Sequence, residues 1–91
     1  MAATADSASG PRRRHLEALA REVEGRGLRG LLVGAEEPML RVVDPSSGQS
    51  VMVVAMPTSR IGWSYLWGGG GQADAADPVG AAESIAQALG V

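Results

Sequence analysis

The chain has 91 residues and no cysteine, phenylalanine or lysine, and its eight arginines stand against ten acids for a formal net charge of −2. That length holds one core and leaves a thin margin of stability, which a second subunit would widen. Without cysteine there is no disulfide frame, no thiolate metal site and no thiol nucleophile, and no apolar run approaches the roughly 20 residues of a membrane span.

Met1 to Gly10 carries no large apolar residue apart from Met1 and is expected to be a disordered tail, with 11–91 forming a single domain. No apolar segment follows Arg12-Arg13-Arg14, so no export signal is read there and a cytoplasmic location is expected. Pro11 suits the first turn of a helix. Leu16, Leu19, Ala20 and Val23 then recur at helical spacing, and Gly25 and Gly27 end the pattern. His15 lies outside this stripe and is expected to be solvated.

Leu28 to Val33 has strand length, Gly34 to Pro38 reads as a turn, and Met39 to Asp44 is a second strand. Pro45-Ser46-Ser47-Gly48 is a turn sequence. Ser50 to Met56 is a valine-rich third strand, Pro57 to Arg60 a turn, and Ile61 to Trp67 an aromatic fourth strand. Gly68 to Gly71 breaks the chain, and Gln72 to Ala76 reads as a loop. Asp77 stands at an N-cap with Pro78 behind it. Ala82, Ile85, Ala86 and Leu89 form a second helical stripe, closed by Gly90. The order is α-β-β-β-β-α. Short connections force antiparallel neighbours, which predicts an α+β domain: a four-stranded antiparallel meander with both helices on one face.

Residues 12–29 hold six arginines against three glutamates, whereas 30–91 holds two arginines against six acids. The pattern reads as a solvated basic helix on an acidic body. Arginine without lysine, beside abundant Ala, Gly and Val, fits a GC-rich coding bias and is poor evidence for bidentate contacts.

Alternation sorts the strands into faces. Trp63, Tyr65 and Trp67 share one face. On the third strand Val51, Val53 and Ala55 oppose Met52, Val54 and Met56, so both faces there are apolar. Two short, alanine-rich helices cover one face, and the surplus apolar surface points to a contact site. The contact residues expected are Arg41, Val43, Met52, Val54 and Met56, binding a protein partner or a second copy of the chain; methionine suits adaptable interfaces. The aromatic row has two readings. It is the core beneath the helices, or it is a platform on which Trp63, Tyr65, Trp67, Gly68 and Gly69 bind a small ligand.

Little points to catalysis. Gly68–Gly71 lacks the GK[ST] of a phosphate loop and is followed by Asp74 and Asp77. His15 has no serine or acid at a spacing that makes a triad. Glu36-Glu37 and Asp74/Asp77 lack EF-hand spacing. The second helix carries only Glu83, so it has no basic residue with which to reach a phosphate backbone, and nucleic-acid binding is not expected. The sequence thus predicts a non-enzymatic module without cofactor or metal.

Leu40-Arg41-Val42-Val43-Asp44-Pro45, the valines of 51–55, Gly62-Trp63-Ser64-Tyr65-Leu66-Trp67-Gly68 and Asp77-Pro78 before an alanine-rich helix resemble a group of short actinomycete proteins. These share a strand ending in Asn/Asp-Pro, a valine-rich strand, a strand ending in Trp-Gly and a closing alanine-rich helix. The resemblance covers roughly 16–89 and departs from the group at the four-glycine loop. Such proteins are encoded near helix-turn-helix regulators, which implies a regulatory or accessory role exercised through protein contact.

Overall fold

A computed structural model describes residues 9–58 and 62–90. Of the tail expected to be disordered, 1–10, residues 1–8 lie outside the described residues, as does the start of the fourth strand at Ile61, while Ser9 and Gly10 are helical. Helix α1 spans Ser9–Glu24, so it begins two residues before Pro11. It ends in a Schellman cap: Leu28 N–H donates to the Val23 carbonyl and Gly27 N–H to that of Glu24, while Gly27 takes a positive φ of 86°. Leu28, expected to open the first strand, is instead the buried residue that follows this cap.

The strands are β1 (Arg29–Val33), β2 (Met39–Val43), β3 (Ser50–Pro57), β4 (Trp63–Trp67) and β5 (Gly71–Asp74), followed by α2 (Pro78–Ala88). They form one antiparallel sheet in sequence order. The fold is α+β, but with five strands instead of four. The segment read as a glycine break and a loop is a turn and a fifth strand. Gly69 and Gly70 both adopt positive φ, the backbone that a tight hairpin turn requires. Gly71 pairs with Trp67, and a Cβ there would overlap the Trp67 indole. The ring therefore lies over the glycine, and an aromatic side chain covers a residue that has none of its own to pack.

α1 packs on β1, β2 and β3, α2 on β5, and the helices touch each other. Their buried residues, Leu16, Leu19 and Val23 on α1 and Ala82, Ile85 and Ala86 on α2, join Leu40, Val42, Val53, Ala55, Tyr65 and Trp67 in one core. The helices come close to the sheet because small residues meet: at Gly30 an added Cβ would lie 3.1 Å from the Ala20 backbone. α2 is capped by Asp77, whose Oδ1 accepts from Gly80 N–H at 3.1 Å, with Pro78 in the first turn.

Candidate interaction surface

The face carrying Trp63, Tyr65 and Trp67 lies beneath the helices. Tyr65 is fully buried and donates its hydroxyl to the His15 carbonyl. Burial pushes its phenol up to about 12. Trp67 is buried against Gly71. Trp63 is half-buried, held by the Arg12 guanidinium 5.7 Å from its ring centroid and by the His15 ring at 5.3 Å. His15 is thus not the solvated residue expected. The sheet is wider than the apolar stripe of α1, and His15 and Arg12, at the margin of that stripe, cover Trp63. Arg12 also donates from Nε to the Ala55 carbonyl at 3.0 Å.

The expected ligand platform is therefore not assembled as one surface. Tyr65 and Trp67 are interior, and Gly68 and Gly69 are exposed in the β4–β5 turn. Trp63 alone of the five reaches an open groove of about 440 Å³, which it shares with Thr58, Gln72 and Asp74.

The opposite face has no helix over it. Here strand register arranges the side chains in rows. Val33 pairs with Met39, the β2–β3 register sets Met39 beside Val54, Val54 pairs with Leu66 and Leu66 with Gln72. This row crosses all five strands and is apolar in the first four. A second row runs Leu31, Arg41 and Met52. A third runs Met56, Ser64 and Asp74. A fourth runs Arg29, Val43 and Ser50. Leu31, Val33, Met52, Met56 and Leu66 are the exposed large hydrophobics of the sheet, with Leu31 at 46% and Met56 at 43% of full exposure.

The structure brings Arg41, Val43, Met52, Val54 and Met56 together on this open face, with Arg41, Met52 and Met56 exposed and Val43 and Val54 half-buried. Sequence reasoning missed Leu31, Val33, Met39 and Leu66 as members of the same patch. The signal was available, since alternation on β1 places Leu31 and Val33 together and alternation on β4 sets Leu66 apart from the aromatics. A recess of about 150 Å³ opens beside the patch, bordered by Pro38, Met39, Val54 and Met56.

Among the described residues no group of three or more His, Asp or Glu side chains could hold a metal ion, and no helix is long and apolar enough to cross a membrane. No protein-family model matches the chain, and no curated protein or solved structure matches it either.

Proposed function

We propose that the protein is a non-enzymatic interaction module, a regulatory or accessory adaptor, whose contact surface is the open sheet face. One observation carries this reading. An apolar row, Val33, Met39, Val54 and Leu66, is flanked by Leu31, Met52 and Met56 on the side of the sheet without helices. Antiparallel sheets that face only water alternate apolar-in and polar-out, and contiguous exposed apolar patches mark interaction sites. The likeness to short actinomycete proteins encoded near regulators supports the regulatory setting. The two exposed methionines, flexible and polarizable, suit a surface that adapts to a partner.

Val54→Glu puts a charge at the centre of the patch without touching the core. Size-exclusion chromatography with light scattering, together with affinity capture, compares the variant with the wild type. The expected result is loss of association, with a thermal transition equal to that of the unassociated wild type. Association that survives Val54→Glu would remove the open face from the proposal.

A further inference from the structure

The structure assigns Met52 and Met56 as sites of reversible oxidation that switch the open sheet face from apolar to polar. The consequence for a partner rests on the reading of that face as a contact surface. Val54 stands at the centre of the patch, and four side chains surround it there: Met52 and Met56 two residues away along β3, Met39 across the β2–β3 register and Leu66 across the β3–β4 register. Three of these four neighbours are thioethers, in a chain whose one other methionine is Met1. Met52 is 40% and Met56 43% exposed, and Met39 is half-buried.

The groups that oxidants attack are divided between the two sides of the sheet. Without cysteine, methionine sulfur is the most readily oxidised group in the chain. Met39, Met52 and Met56 all lie on the open face. The aromatic rings lie on the other: Tyr65 and Trp67 are buried, and Trp63 is covered by Arg12 and His15. None of the three methionines belongs to the core or packs against it. Oxidation therefore changes the surface that meets a partner and leaves the packing of helices on sheet intact.

The oxidant is hydrogen peroxide. A sulfur lone pair attacks one peroxide oxygen, the S–O bond forms as the O–O bond breaks, and after proton transfer the other oxygen leaves as water. Sulfur is oxidised by two electrons and the peroxide is reduced by two. A thiol-dependent methionine sulfoxide reductase restores the sulfide: two thiols supply the electrons as they close to a disulfide, and the oxygen leaves as water. The sulfoxide is a polar acceptor, and an apolar partner surface would strip its water without replacing the hydrogen bond. Oxidation of the free protein thus opposes association, whereas an occupied face is shielded from the oxidant.

Peptide mass mapping after hydrogen peroxide treatment tests the sites. In the folded protein Met52 and Met56 should oxidise within about twofold of their rates in denaturant, and Met39 more slowly. Protection of both by more than about tenfold overturns the assignment. The switch is read on a hydrophobic-interaction column, which needs no partner. Oxidised wild type should elute earlier with an unchanged denaturant midpoint, and methionine sulfoxide reductases of both stereospecificities with dithiothreitol should restore its retention. Met52→Leu/Met56→Leu keeps the face apolar and should hold its retention through the same treatment. Unchanged wild-type retention, a lowered midpoint, or a double variant that shifts as far as the wild type overturns the switch. Wherever the wild type associates, oxidation should weaken association at least about tenfold. Association that Val54→Glu abolishes but oxidation of Met52 and Met56 spares overturns the switch and leaves the contact face standing. Association that survives both removes the contact face, and with it the consequence for a partner.

Discussion

Tyr65 offers an unusually isolated alkaline titration. The chain has no lysine and no cysteine, and Tyr65 is its one tyrosine. No lysine amine or cysteine thiol therefore titrates alongside this phenol. Its pKa rises from 10.0 to about 12 in the folded protein, because burial disfavours the phenolate. The raised value means that the folded state holds the proton more tightly than the unfolded chain. The resulting stability is fully present below pH 10 and is lost as pH rises through 12. A shift of about two units corresponds to roughly 2 to 3 kcal/mol, a large share of the stability of a domain this small.

Denaturant titration followed by tryptophan fluorescence, repeated from pH 8 to pH 12, measures that loss. Phenolate absorbance reports the titration of the folded protein directly. Tyr65→Phe removes the bond to the His15 carbonyl and costs about 1 kcal/mol near neutral pH, but its stability should stay level across the alkaline range. The wild-type curve should fall through it, crossing between pH 10 and 12. A phenolate midpoint near 10 in the folded protein, or parallel curves for wild type and Tyr65→Phe, would refute the argument.

Gly71→Val drives a branched side chain into the Trp67 indole, and the ring must leave its seat; an overpacking cost of about 1–3 kcal/mol is expected, with a red-shifted tryptophan emission. An unshifted spectrum would show that the ring is not seated there. Asp77→Ala removes the α2 cap, and a loss of about 1 kcal/mol in chemical denaturation is expected; a neutral result would show that Asp77 does not cap this helix.

The helices were legible because their punctuation is local: Pro78 behind Asp77 at one start, Gly27 at one end. Alternation also placed Trp63, Tyr65 and Trp67 on one face and Met52, Val54 and Met56 on the other. It left open which face the helices cover, since both sets are apolar. Volume decides that question. The helix surfaces turned inward are built from Ala20, Ala81, Ala82 and Ala86, and small residues there leave room for large ones on the facing sheet. β5 was not legible, because Gly71-Gln72-Ala73-Asp74 has no β-branched or aromatic residue. It is a strand because β4 offers it an edge and Trp67 covers its glycine, and neither fact is local to the segment.

In this meander every strand bonds to the strand beside it in sequence. Few contacts demand a long loop closure, and such closures are what slow a chain's search for its fold. The sheet can zip up from its turns, hairpin by hairpin. The ties of α1 are of another kind: Arg12 reaches Ala55 across 43 positions and Tyr65 reaches His15 across 50. Substitutions at these ties should accelerate unfolding while leaving the refolding rate nearly unchanged, whereas changes in the β2–β3 turn at Asp44–Gln49 should slow refolding. The first helix would then be the last part to dock, and the aromatic face would stay wet until it does.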